Sequence, residues 1–510
     1  MASAEENEKN RKELYARLDE MDVYNRTLGK LAFDQECCAP PDGLDQAGAD
    51  MAVIDKALFG LTHDPRYVQL VTQLHQDSTG LTAVQKTMVD KHYEAIQKNA
   101  GLTPEFSYEL SCAVNQAYGT WLKAKRDNSF AEYRDTLENL IRLKRQEMSL
   151  RAPALQKGTC YDTCLDDYEK GVDSAMLDSF FGQLKETIIP LVSRIQKSGK
   201  KIRTDFLSRP VPIPEQERFS RLLLDLEGLR ASSLVFTTTE HPFTTNFGPK
   251  DVRVTTHFYE NSFVSNIFTT LHEGGHALFM QNEPEELYRN HADNAMTDGM
   301  HECMSRFYEN IVGRSEAFAS FILPKLRETC PGRFDDITER EFYEGINAVT
   351  PGTNRCDSDE LTYCLHIIVR YELEKQFMNG EMSVDQIPAE WNRRYREYLG
   401  VEVPDDREGC LQDVHWTGMF GYFPSYALGN AYGAQILHAM KKDLDVEGQI
   451  HRGDLSGILA WLKKNAFSCA SLLTPRDWLI RVTGEPLNPA YYLTYLTEKY
   501  TALYGLSPEN

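Results

Sequence analysis

A mostly α-helical domain with one small β-sheet near its middle is the fold that the sequence predicts. Three observations predict it. From about residue 8 to 230, apolar residues recur at three- and four-residue steps, the spacing of amphipathic helices. One region breaks that rhythm: between Ser233 and Tyr259, LVFTTTEHPFTTNFGPKDVRVTTHF is rich in Val, Thr and Phe with Gly-Pro punctuation, which reads as two or three short strands. Pro, Gly and Asp cluster only in short loops, with no internal repeat, low-complexity tract or long Gly/Ser linker between them.

Taken in order, the segment MASAEENEKNRKELYARL is charged and amphipathic without an apolar core, so a helix is expected there and not a secretory signal. CCAPPDG at 37–43 reads as a loop. In ENLIRLKRQEMSLR, Leu140, Ile141 and Leu143 share one helical face and Arg and Lys the other. Residues 176–197 repeat the pattern, and SRPVPIPE at 208–215 reads as a loop. After the strands comes NSFVSNIFTTLHEGGHALFM (261–280), whose Val264, Ile267, Phe268, Leu271 and Leu278 suit a helix buried in the interior. DNAMTDGMHECMSRFYENIVG (293–313) is read as a further helix and PGTNRCDSD (351–359) as a loop. The expected layout is one domain, 1–510, with a helical part over 1–230 and the chemistry-bearing part over 231–510.

Composition narrows the function. Of 510 residues, 41% are hydrophobic and 26% charged, enough apolar content for a sizeable core. No stretch approaches the ~18 consecutive apolar residues of a membrane span, so an integral membrane protein is excluded. Lys and Arg total 55 against 76 Asp and Glu, a formal charge of −21 that repels phosphate backbones and argues against a nucleic-acid partner. The eleven cysteines are odd in number and scattered, as expected of reduced thiols in the cytoplasm. Cys160 and Cys164 lack a second pair at zinc-finger spacing, so no structural zinc is expected there.

His272, Glu273, Gly274, Gly275 and His276 form an HExxH. On a helix, residues four apart lie one turn up on nearly the same face, so both imidazoles can reach one metal ion while Glu273 beside them takes a proton from water. A third histidine of the metzincin kind is missing, because Asn282 stands at that position. The alternative third ligand is a Glu on a following helix, and 293–313 offers Glu302 and Glu309. Arg306 is placed to hold Glu302 by an i,i+4 pair, or to form an ordinary surface salt bridge with it.

HEGGH followed by HECMSR resembles the M32 family of metallocarboxypeptidases, the carboxypeptidase Taq family. Further motifs of that family stand in order: HPF (His241–Phe243), DVRVT (Asp251–Thr255), NRCDSD (Asn354–Asp359), HIIVRYE (His366–Glu372) and GCLQDVHW (Gly409–Trp416). The chain departs from the family pattern at Cys303, Met304, Asn354 and Ser358, none of them a ligand or an arginine.

The resemblance implies a mostly helical, saddle-shaped, gluzincin-type protease that forms a homodimer and removes C-terminal residues from peptides. His272, His276 and Glu302 would hold Zn²⁺, with Co²⁺ able to substitute, and Glu273 would be the general base. Arg253 and Arg355, with His241, would read the terminal carboxylate. Tyr426 would contact substrate, with Tyr422, His415 and His301 as further candidates. Plainer readings pair Arg253 with Asp251 and Arg355 with Asp357 or Asp359, and make Arg370 and Glu372 helix-packing charges. Two other functions share these features: a gluzincin endopeptidase or oligopeptidase, and a helical scaffold that binds metal without turnover.

Overall fold

The computed structural model describes residues 4–293 and 295–507. Among them are 21 α-helices and three strands, so the mainly α expectation holds. No described helix is long and apolar enough to cross a membrane. The chain divides into two compact units, Met1–Gln97 with Pro210–Met296 and Asp454–Leu473, and Lys98–Arg209 with Thr297–Gly453 and Thr474–Asn510.

The first unit opens with the long helix Ala4–Cys37, followed by Leu44–Thr62 and Pro65–Gln76. Asp64 starts the third of these, its carboxylate accepting from the Arg66 and Tyr67 amides ahead of Pro65. Leu14 and Leu18 pack with Leu70, Val71, Leu74, Met88 and Val89 in one buried cluster. The loop expected over 208–215 is shorter than that, because helix Ile213–Glu227 begins inside it. Pro214 lies in the first helical turn, where a missing N–H costs nothing.

Three strands follow: β1 (Leu234–Thr238), β2 (Thr244–Asn246) and β3 (Val252–Thr256), in the order β1-β3-β2. β3 is central, parallel to β1 with Phe236 opposite Val254, and antiparallel to β2 with Thr244 opposite Val254. Helix Phe263–Asn282, expected over 261–280, packs on this sheet and on helix Ile213–Glu227. A polar seam fixes that packing: Thr256 donates to Asn266, while Asn266 and Thr270 both donate to the Ser220 hydroxyl. Gly274 leaves room for Glu227 at this contact, since a Cβ there would stand 1.7 Å from its Oε2 and force that side chain to move. Glu227 itself is buried, its carboxyl oxygens unpaired among the described residues, and burial pushes its pKa well above the usual carboxylate range.

The second unit contains helices Phe130–Leu155 and Ser174–Ser198, which bury the predicted faces, Leu140, Ile141 and Leu143 among them. At its centre Glu360–Asn379 is enclosed almost all round. The helix expected over 293–313 is shorter and has a different ending: it runs Asp298–Arg306 and widens into a π-helix at Phe307–Val312. Asn294 lies outside the described residues. The late start has a physical cause. Thr297 makes no side-chain cap bond to this helix; instead Glu169 reaches in from elsewhere and accepts from the Gly299 amide and the Thr297 hydroxyl. Helix Phe423–Met440 then crosses the Asp298–Arg306 helix closely. A Cβ on Gly429 would lie 2.6 Å from the Glu302 Cβ.

Candidate active site

Within the first unit, His272 and His276 lie one turn apart on helix Phe263–Asn282, their ring centroids separated by 5.0 Å. Glu273, 6% exposed, is held from β2: the Thr244 hydroxyl donates to its Oε2 at 2.6 Å and also lies 3.0 Å from its carbonyl oxygen. One carboxylate oxygen of the expected base is thereby fixed by a strand residue.

Arg253 projects from β3. Its Nε and Nη2 donate to the Asp251 carboxylate at 3.0 and 3.2 Å, the plainer reading raised above. The guanidinium also lies between two rings, 4.8 Å from the Phe33 centroid and 4.7 Å from that of Phe247. Asp251 and the rings hold the group in plane, while Nη1 donates to no described residue. His241 lies in the turn between β1 and β2, exposed and with no hydrogen-bond partner among the described residues.

In the second unit, Glu302 is 4% exposed and accepts from the Ser305 hydroxyl at 3.1 Å. Arg306 Nε stands 3.4 Å from its Oε2, with both side chains buried, so this is an interior pair and not a surface bridge. Glu309 is engaged by Arg306 Nη1 at 2.9 Å. His301, on the same helix, has its pKa pushed down to about 4 by burial, and Asp298 has its own pushed up to about 7 by burial and by the neighbouring Glu302.

Arg355 is 7% exposed and pairs with neither Asp357 nor Asp359. Asp359 caps helix Glu360–Asn379 through the Thr362 amide. The partner of Arg355 is Asp413, which accepts from its Nε at 3.1 Å and its Nη2 at 2.8 Å. Asp413 also binds Arg370, and the Gln412 side-chain carbonyl takes the Arg355 amide and Arg370 Nη2. The motif GCLQDVHW is therefore a socket for Arg355. Arg370, fully buried, is a wall of that socket, which goes beyond a packing charge, whereas Glu372 pairs with Lys185 and Arg394 as a packing charge would.

The same motif supplies His415, whose Nε2 lies 3.1 Å from the Tyr426 hydroxyl, and Trp416, whose indole donates to Glu374. Burial pushes the His415 pKa down to about 3, so the ring is neutral. Its Nδ1 faces Asp413 at 4.0 Å, a position that favours a proton on Nδ1 and leaves Nε2 to accept from Tyr426. The Tyr426 ring lies under Arg355, 4.9 Å from the guanidinium carbon, and Tyr422 packs edge-on against it.

His272, His276 and Glu302 make up a set that could hold one metal ion. Two imidazoles with one carboxylate suit a borderline divalent cation, and a Glu already oriented by Ser305 and Arg306 is the kind of ligand such an ion takes. Sequence reasoning missed Thr244, Gln412, Asp413 and Gly429. Thr244 follows HPF directly, and Gln412 and Asp413 stand inside a motif already singled out, but their partners are remote in sequence. Gly429 left no signal, because what it accommodates is a backbone more than a hundred residues away.

Residues 13–500 match the family model described as carboxypeptidase Taq (M32) metallopeptidase. The chain is 36% identical to thermostable carboxypeptidase 1 of Thermus thermophilus over 95% of this chain and 97% of that one. It is 35% identical to carboxypeptidase 1 of Bacillus subtilis over 97% and 99%. The crystal structure of an M32 carboxypeptidase from Deinococcus radiodurans superposes with a TM-score of 0.93 at 30% identity, covering 98% of this chain and 100% of that one.

Proposed function

This chain belongs to the carboxypeptidase Taq (M32) family and is a metallocarboxypeptidase, and from that premise we propose that it is zinc-dependent, with Glu273 as general base. His272, His276 and Glu302 hold the ion, and Co²⁺ can take its place. The observation that carries the reading is the HEGGH turn, where two imidazoles share a face and the carboxylate between them is held by Thr244. When bound, the ion acidifies water and polarises the scissile carbonyl. Glu273, oriented by Thr244, takes the water's proton and passes it to the departing nitrogen.

Arg253 offers Nη1, its one nitrogen without a described partner, to the terminal carboxylate of the peptide, and Asp251 keeps the guanidinium oriented. Arg355, set in its socket, contributes the second positive group, and His241 borders the same end of the substrate. Tyr426 directs its proton to His415 and presents its oxygen to a substrate N–H; Tyr422 packs beside it, and His301 flanks the ligand Glu302. The whole chain acts as one M32 domain, as a cytoplasmic homodimer, on peptides with a free C-terminus and not on nucleic acid.

Mass spectrometry of one unstructured peptide, as free acid and as C-terminal amide, with and without chelator, tests the activity. A ladder of single-residue losses from the free acid alone, abolished by chelator, is expected. Internal cuts in both forms refute it. Glu273→Gln is expected to lose turnover and keep its zinc; loss of the metal from that variant refutes the role given to Glu273.

A further inference from the structure

Tyr363, on helix Glu360–Asn379, occupies a place that the mechanism above does not use. Its phenol oxygen accepts from two guanidinium groups, Arg306 Nη2 at 2.6 Å and Arg355 Nη1 at 3.1 Å. Its ring also underlies Arg306, 4.1 Å from centroid to guanidinium carbon. The residue is 5% exposed. Two like charges on one oxygen repel each other, and the arrangement stands because carboxylates flank it: Glu302 and Glu309 beside Arg306, and Asp413 beside Arg355. A phenol oxygen has two lone pairs, and both are taken by arginines.

The consequence is a continuous line of contacts inside one unit, Glu302, Arg306, Tyr363 and Arg355, with Asp413 backing the last. One end is the carboxylate assigned to the metal and the other the arginine assigned to the substrate's terminal carboxylate. We propose that Tyr363 is a positioning residue that ties these two ends together, holding Glu302 and Arg355 at the separation that puts the last peptide bond, and no other, at the metal. The proposal rests on the carboxypeptidase reading for Arg355, but its metal-side arm does not.

Tyr363→Phe keeps the ring under Arg306 and removes the shared oxygen. Two measurements are made on the intact chain, each beside the thermal midpoint. In a buffered zinc titration of metal-free protein, the variant's zinc dissociation constant is expected to rise on the order of ten-fold, the usual scale for losing an outer support of a ligand. With a free-acid peptide, KM is expected to rise about ten-fold, the scale of one hydrogen bond to a charged group. In an Arg355→Ala background the same change is expected to leave KM where it is, because its route to substrate runs through Arg355.

An unchanged zinc constant overturns the proposal. So does an equal KM factor in both backgrounds, which marks a general structural effect. If Tyr363→Phe lowers the thermal midpoint steeply, both measurements are repeated well below its midpoint, where the variant is folded, and are read in the same way. A wild-type enzyme that cuts internally defeats the carboxypeptidase reading, and the zinc titration still decides the coupling of Tyr363 to Glu302.

Discussion

Thr244→Val removes a single donor from the side chain that should do the proton transfer. Valine matches threonine in shape and suits a strand, so β2 keeps its pairing with β3. What disappears is the 2.6 Å bond to Oε2 of Glu273 and the contact of the same hydroxyl with the Glu273 carbonyl oxygen. A hydrogen bond to a charged group is worth about 1.5–3 kcal/mol. Glu273 is 6% exposed, so little water can replace the donor. If that bond sets the angle from which the carboxylate takes its proton, kcat falls by roughly ten- to a hundred-fold, since each ~1.4 kcal/mol is a factor of ten. Thr244→Ser restores the hydroxyl and is expected to stay within about three-fold of wild type, a difference of ~0.7 kcal/mol. The assay is steady-state release of the last residue from a free-acid peptide at saturating substrate and zinc, with zinc content measured on the same samples. Full turnover by Thr244→Val refutes the argument, and so does Thr244→Ser as impaired as Thr244→Val.

Two further outcomes follow from geometry and burial. Gly429→Ala drives a methyl group to 2.6 Å from the Glu302 Cβ and should cost about 1–3 kcal/mol of stability while weakening zinc binding, read by thermal melting and by metal titration. Burial pushes the Glu374 carboxyl up to about 8, against 4.5 in the unfolded chain, so between those values the unfolded state holds fewer protons than the native one. Stability should therefore fall as pH rises through that window, and Glu374→Gln should flatten the fall in a series of melts from pH 4.5 to 8; an unaltered slope counts against a neutral Glu374.

Helix periodicity announced the scaffold up to about residue 230 because apolar faces are written locally: Leu140, Ile141 and Leu143 are buried as their spacing requires. The strands were legible for the same reason, through Val and Thr runs broken by Gly-Pro. HEGGH was legible because a metal pair on one helix needs residues only four apart. Long-range matters were hidden. The Asp298–Arg306 helix begins late because Glu169, distant in sequence, supplies its cap. Arg355 has two acidic neighbours in its own loop, yet Asp413 binds it, since Asp359 is committed to the cap of helix Glu360–Asn379 and Asp357 is exposed, whereas Asp413 is held in the interior between Arg355 and Arg370. Local sequence lists the charges but not which of them share a dry interior.

The line from Glu302 to Arg370 also supplies each of its arginines with a carboxylate. Arg306, Arg355 and Arg370 each stand beside a carboxylate, Glu302 and Glu309 for the first and Asp413 for the other two, and Glu309 also faces Arg314 at 4.0 Å. None of these pairings depends on a bound ion. A metal ion that left Glu302 would strand no buried arginine of that line without its carboxylate. Stripping the metal with chelator is therefore expected to leave a folded chain that takes metal up again, so that the supply of metal, and not refolding, would limit its activity.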